Sequence, residues 1–525
     1  MASFANFHPD AMWRLEMNQT LPAHLRTRWS WLAGVISLCA ICLLTLWSGV
    51  FDDTVLRRDR VTASAVVLAL GFLALMLWWM VAVSMSVGMR LAGLVGLLGT
   101  LGVLCLAVEV GGMTADGVPL LRWSGAAESG TDLPGSHADV WSDIRWSGHG
   151  PEPTEGLTAP RRHWRQQIGA GFAGFALAGG TSLTQAITQE QRGTREVTVA
   201  YDLRRGTELW AYADSGRFTS GFTSLAAGIG PRSVPVVKGG TVFTLSATGW
   251  LRSLAAGDGG HLLWRRRIRE TATESGLWAA PLLVRNLIVV STGTEVHAFA
   301  QNSGEPRWQA ETPAGDGSLV LTILAGLEQI VVAGRRGASG HDPGTGFTLW
   351  QVTWPVSDVI APRPLAIADG RLLFNGGGTG ARLYDVQRQI GVVGLTPTLL
   401  WRSAQLRSSL SCVVEAKGYL YGLDDGRLVC LEATTGFRRW RGAWYGHGQV
   451  LLAEGLLIVQ SEDGYISLVA AEPTDFVEKL RFYAVDTDRG WATPVRHGRW
   501  LLVRGNSEAV LWELPQLEKA LLSDP

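Results

Sequence analysis

Five side chains in three short polar stretches are of the types from which a ligand site is built. Glu190 and Arg192 lie in QEQRG (189–193), Arg232 in GPRS (230–233), and His447 and Gln449 in YGHGQ (445–449). A carboxylate, two guanidinium groups, an imidazole and a carboxamide meeting at one point would hold a polar or charged ligand through charge-assisted hydrogen bonds. Taken separately, the same stretches are compact turns whose polar groups bond their own neighbourhood, and both readings stay open. Other candidate chemistry is thinner. Asp424-Asp425-Gly426 offers two carboxylates where calcium needs six to eight oxygens, and Asp with Gly is also what a tight β-turn takes. Cys39 and Cys42 share the C-x-x-C spacing, but inside an apolar run with no further ligands nearby they read as helix packing. The glycine-rich stretch 375–380 lacks the lysine and the following helix of a phosphate cradle. There is no G-x-S-x-G nucleophile turn and no spaced His/Glu set for zinc, so no catalytic residue and no metal site is expected.

The elements that would position these residues fall into two kinds. Of 525 residues 47% are hydrophobic, and 46 Lys+Arg balance 46 Asp+Glu, which leaves no basic footprint for nucleic acid. Residues 29–51 and 61–89 contain no charge, and 91–108 is a third such run. A bilayer-crossing helix needs about 20 apolar residues, so the sequence predicts three transmembrane helices over 29–111 after an N-terminal tail, 1–28. With three spans the two ends of the chain face opposite sides. Arg14, Arg26, Arg28 and Arg90 against Arg57, Arg58 and Arg60 leave the positive-inside rule nearly balanced. The exit from the third run, with Glu109, Asp116 and no basic residue, directs the large domain away from the cytoplasm. Residues 112–163, rich in Gly, Ser, Pro and Asp, read as a linker.

Beyond it, 164–525 shows short strand-like runs bounded by turn residues, among them those holding Cys412 and Cys430, which read as free thiols. Tryptophans recur at 164, 210, 264, 308, 350, 401, 440 and 491, a period of roughly 45 residues that suits one four-stranded propeller blade. Gly206, Gly260, Gly304, Gly346 and Gly436 each stand four residues before Trp210, Trp264, Trp308, Trp350 and Trp440. A glycine there takes the positive φ of a tight strand connection. The large, rigid indole fills the seam between wedge-shaped sheets. The expectation is an all-β domain of eight blades, with seven as the alternative, closed by a strand from near Trp164 so that no sheet edge stays open.

Ala200, Asp202, Gly206 and Trp210, at the spacing A-x-D-x-x-x-G-x-x-x-W, resemble the tryptophan-docking motif of the PQQ-like (quinoprotein-type) eight-bladed β-propellers. Partial copies stand at Ala298-Gly304-Trp308, Asp342-Gly346-Trp350 and Glu432-Gly436-Trp440, and the glycine is missing before Trp401 and Trp491. GPRS and YGHGQ also look similar to segments of bacterial proteins with such repeats. The resemblance implies one of two activities. Some members are dehydrogenases using pyrroloquinoline quinone (PQQ) and calcium; others, such as the outer-membrane assembly lipoprotein of Gram-negative bacteria, are binding scaffolds without a cofactor. This protein has no adjacent cysteine pair, no carboxylate cluster apart from hairpin turns, and compact blades without insertions to roof a cofactor. The expectation is therefore a non-catalytic scaffold that binds a protein partner, needs no cofactor, and sits in a bacterial inner membrane with its propeller in the periplasm. The alternative is a membrane-bound PQQ-dependent dehydrogenase oxidising an alcohol or sugar. The lipidated cysteine of the lipoprotein relatives has no counterpart in a convincing lipobox.

Overall fold

The computed structural model describes residues 23–48, 56–82, short pieces of 86–123, and 159–515 apart from 191–192, 218–229, 258, 269–278, 316, 356–362, 368–369, 390–393, 409 and 488. The helices and the strand-rich region belong to separate compact units.

The first two apolar runs form α1 (Ala23–Trp47) and α2 (Arg57–Ala82). Trp47 ties them: its Nε1 donates to Ser64 Oγ at 3.0 Å, and the guanidinium of Arg60 lies 5.4 Å from the centre of its ring. Arg57 to Arg60, between the first two uncharged runs, begin α2; the N–H groups of Asp59 and Arg60 bond the Leu56 carbonyl and close its first turn. Among the described residues one helix, Arg57–Trp79, is long and apolar enough to cross a membrane, and Trp31–Trp47 is a shorter apolar helix. Of the three expected transmembrane helices, the described residues thus show one segment of spanning length, and most of the third apolar run lies outside them. Strands Val108–Met113 and Pro119–Trp123 form a two-stranded sheet, the second of them within the expected linker.

The rest is an eight-bladed β-propeller. Seven four-stranded blades follow in chain order at 176–217, 236–267, 282–311, 318–353, 365–403, 414–444 and 449–483. Blade 8 takes three strands from 495–513 and its fourth from Arg161–Gln167, the closure expected from the sequence. Within a blade the strands run outward in order, and the first strands of blades 1 and 2, 3 and 4, and 6 and 7 approach one another around the centre.

All eight outer strands share one irregularity. In each, a single residue is skipped in the ladder immediately before the seam side chain: 209, 263, 307, 349, 400, 439, 479 and, in blade 8, 163. A bulge of this kind bends the strand and spoils the outer edge as a template for another sheet. It also explains why Leu209, Leu263 and Leu400 face solvent.

The tryptophan after the bulge joins each blade to the next. The indole N–H groups of Trp164, Trp210, Trp264, Trp308, Trp401 and Trp440 donate to the carbonyls of Leu203, Ala256, Gln301, Pro343, Ala433 and Glu472, at 2.8–3.1 Å. Each acceptor lies in the turn between the third and fourth strands of the following blade. In five of these turns the glycine, at φ +69° to +77°, lies flat against the ring; a Cβ on Gly260 would stand 2.2 Å from Trp210. The glycine thus receives the tryptophan of the preceding blade, while its own blade's tryptophan serves the next seam.

Two seams depart from the rule. After Trp350, the described part of the connection in blade 5 sets Gly394 against the Leu349 carbonyl and not against the indole. The indole turns back over Gly340 of its own blade and donates to Gln329 Oε1 at 2.5 Å. The second departure corrects the tryptophan ruler. Trp491 is not a seam residue; the equivalent position in blade 7 is Leu480, paired with Leu468. The reason is topological. Blade 8 draws its third and fourth strands from opposite ends of the domain, so no turn exists there to receive an indole. Trp512 of blade 8 fills that seam from the other side, donating to the Ala484 carbonyl at 3.0 Å and packing edge-on against Phe482.

Candidate functional site

The antiparallel order of strands places the segments that lead into the inner strands at the same end of the ring as the hairpins between second and third strands. This end, the mouth of the central channel, is where the sequence candidates fall. Its rim is knitted from blade to blade by side chains that donate to backbone. Gln449 Nε2 bonds the carbonyls of Leu410 in blade 6's approach and Trp491 in blade 8's, at 3.1 and 2.9 Å, while its Oε1 accepts from Thr493 Oγ1. Ser233 Oγ donates to the Ala279 carbonyl at 3.1 Å, and Ser411 Oγ to that of Gly448.

One step inward, the fifth residue of the second strand does the same work in four blades. Gln185 donates to Ser233 O, Asn375 to Ser411 O, Gln460 to Arg504 O, and Arg504 across the closing seam into blade 1. Arg504 is fully buried and makes the densest set: Nε to Gly171 O at 3.1 Å, Nη1 to Ala173 O at 2.8 Å, Gln185 O at 3.0 Å and the Thr184 hydroxyl, and Nη2 to Gly169 O at 3.3 Å. Burial pushes its pKa down to about 9, opposed by Tyr201. A guanidinium suits this position because it carries five donors in a fixed plane, and the carbonyl dipoles take the place of water around the charge.

The structure joins three of the five candidates into one rim. Gln449 is buried and spent on seam bonds, which is the structural role left open by its sequence. His447 is half-buried, with its backbone N–H on Glu462 Oε2 at 3.1 Å; the same carboxylate accepts the Trp491 indole N–H at 3.2 Å on Oε1. Trp491 packs on Phe172, their ring centres 5.3 Å apart, and the Arg232 guanidinium lies 5.8 Å from the centre of the Phe172 ring. Burial, and secondarily the charge of Arg489, lower the pKa of Arg232 to about 10. Glu190 is described only as backbone, at the end of a hairpin whose strands are ten residues each where those of blade 2 have five and six. Arg192 lies outside the described residues. Phe172, Glu462, Arg489 and Trp491 were missed. Phe172, Arg489 and Trp491 sit at the position in their approach segments that Arg232 and His447 occupy in theirs or within two residues of it, so aligning the eight approaches would have found them.

The remaining groups read as structure. Both carboxylate oxygens of Asp424 are held by the buried Arg407, Nε to Oδ1 and Nη2 to Oδ2 at 2.9 Å each. Asp424 is therefore not available as a calcium ligand, and no three His, Cys, Asp or Glu side chains converge on a common point among the described residues. Ser339 Oγ meets His341 Nε2 at 2.8 Å, a nucleophile–base distance, but both are fully buried, and the series of bonds runs on to the Thr312 hydroxyl. Cys430 is a buried free thiol and Cys412 a half-buried one. Within residues 375–380, Gly377–Thr379 form a short 3-10 turn between two strands.

The family model described as "Outer membrane protein assembly factor BamB" matches residues 193–358 and 335–511. No curated protein matches the sequence. Among solved structures, BamB from Moraxella catarrhalis is 13% identical, with 68% of this chain and 100% of that one covered at a TM-score of 0.49. A quinohemoprotein alcohol dehydrogenase from Comamonas testosteroni is 12% identical, with 67% and 76% covered at 0.50. Sqt1 from Saccharomyces cerevisiae is 12% identical, with 69% and 99% covered at 0.48. Identities this low speak to fold alone.

Proposed function

The chain belongs to the family described as outer membrane protein assembly factor BamB, and from that premise we propose that its propeller is a non-catalytic platform for a protein partner. In this reading the N-terminal helices hold it in a bacterial inner membrane and the propeller works at the periplasmic face. Family membership supports the protein-binding role. The observation that carries it over catalysis is the fate of the mouth's polar side chains. Gln449, Gln185, Asn375 and Arg504, the groups best placed to grip a small substrate, all donate to backbone carbonyls of neighbouring blades. A rim built in this way is rigid and pre-organised, which favours recognition of a preformed surface.

Photo-crosslinking in intact membranes from positions around the mouth tests the proposal. The expected product is a discrete adduct with another envelope protein. Reconstitution with pyrroloquinoline quinone and Ca²⁺ followed by reduction of an artificial electron acceptor, with alcohols or sugars as donors, would overturn it. Protease protection of right-side-out vesicles checks the orientation, with cleavage of the propeller from outside as the expected result.

A further inference from the structure

The end of the ring opposite the mouth carries the hairpins between first and second strands and the turns between third and fourth. Exposed apolar side chains gather there. Ile323 and Phe347 in blade 4, Phe437 in blade 6, and Leu452 and Val477 in blade 7 stand at this end, whereas Trp444 and Tyr483 are the exposed large apolar residues described at the mouth end. The two phenylalanines occupy one repeated position, the residue after the turn glycine, which is Thr207, His261 and Glu305 in blades 1 to 3. In each of these turns its carbonyl accepts an N–H from the end of the third strand, Asp342 bonding Phe347 and Glu432 bonding Phe437, so the side chain projects from a fixed backbone. Phe437 is 72% exposed and Phe347 56%, where every other described phenylalanine of the propeller is buried or half-buried. The turn accepts Thr, His or Glu equally well, so the rings serve something outside the blade. Blade 5 stands between them, so whatever covers both is a broad surface. The chain also enters the propeller at this end. Arg161, which opens the outer strand of blade 8, pairs with Glu513 at the turn end of the third strand, and the N-terminal helices precede it in the chain.

We propose that the turn end of the propeller rests on the surface of a lipid bilayer, with Phe347, Phe437 and the apolar side chains of the neighbouring hairpins entering the headgroup layer. The proposal rests on the membrane-anchored reading and deepens it, since it names the face that meets the lipid and leaves the mouth open to the aqueous side. A bilayer offers apolar chains over a whole plane, so rings on separate turns each gain by leaving water without needing a pocket shaped for them. The exposed Arg438 and Arg439, which follow Phe437, are of the type that accompanies apolar residues at such an interface.

Photo-crosslinking of the full-length protein in nanodiscs tests it, with a benzophenone amino acid in place of Phe347, Phe437 or, at the mouth end, Tyr483. Mass spectrometry is expected to find lipid adducts at 347 and 437 about tenfold above those at 483, the equilibrium equivalent of moving one such ring out of water. With the photo-reactive group at 323, Phe347→Ser combined with Phe437→Ser should lower the lipid adduct by a similar factor. Phe347→Leu with Phe437→Leu, which keeps the apolar surface, should retain it and serves as the control should the serine variant fail to fold. Equal lipid adducts at 437 and 483, no lipid adduct at 347 and 437, or an unchanged adduct at 323 in the serine variant overturns the proposal. A protein adduct at 437 in intact membranes, in place of lipid, also overturns it and makes this end a docking face for a partner. All of these outcomes leave the membrane-anchored reading intact. Release of the unmodified protein from membranes by alkaline carbonate, which spanning helices resist, overturns that reading instead.

Discussion

The outer seams and the channel mouth join the same eight blades by opposite means. Outside, at five of the eight seams one large apolar ring stacks on a bare glycine and makes one hydrogen bond into the next blade. Inside, four seams are closed by polar side chains at one equivalent position, two Gln, an Asn and an Arg, reaching for backbone carbonyls. The outer joint depends on shape, which any blade can reuse. The inner joint depends on the number of acceptors left at each place, which differs from blade to blade and is greatest where the ring closes. Repetition therefore marks the belt, and singular residues mark the rim where a ligand would arrive.

The comparison breaks most visibly at Arg504. Arg504→Met removes the donors for four buried carbonyls and a hydroxyl at the closing seam. It should cost about 3–5 kcal/mol in urea unfolding, the range for dismantling a buried charged network. A loss under about 1 kcal/mol would show that the apolar belt alone closes the ring. Next comes Gly260→Ala, which places a methyl group into the Trp210 ring at a positive φ and should cost about 3 kcal/mol. Gly239→Ala, also at positive φ but with open space around it, should cost only about 1 kcal/mol. Equal losses would mean that backbone conformation, and not the ring contact, requires the glycine.

A smaller effect separates the two exceptional seams. Trp350→Phe leaves Gln329 Oε1 without its indole donor inside the blade and should lower stability by about 1–2 kcal/mol. Leu480→Trp should also destabilise, by about 1–3 kcal/mol, because no turn waits to receive the ring and the site is already filled. A gain in stability there would refute the topological account of why blade 7 lacks the tryptophan.

The smallest expected effect is a pH dependence. Burial holds the pKa of His341 below its ordinary 6.5, against the raising effect of its bond with the Gly346 carbonyl. The unfolded state then binds the proton more readily than the folded one. The contribution is complete above 6.5 and declines as pH falls from there through the lower folded value. His341→Gln should flatten the melting temperature over that range.

Much of the belt was legible in advance. A tryptophan, its glycine four residues earlier and the roughly 45-residue period are local signals, so the sequence alone determined the blade as a unit, its turn chemistry and the strand near Trp164 that closes the ring. The ruler failed at Trp491 because its spacing matched while its position in the blade did not. Only the pairing of Leu480 with Leu468 shows which residue holds the seam. The mouth was legible in part. Arg232, His447 and Gln449 were found as polar turns, but nothing local reveals that Gln449 is spent on Leu410 and Trp491, that Asp424 is held by Arg407, or that Phe172 and Trp491 stack across the last and first blades. Residues 172 and 491 stand far apart in sequence and meet only because the ring closes. Sequence determines what repeats from blade to blade, since φ preferences, bulges and turns depend on near neighbours. Tertiary structure decides what each polar group finally bonds, since its acceptors arrive from other blades.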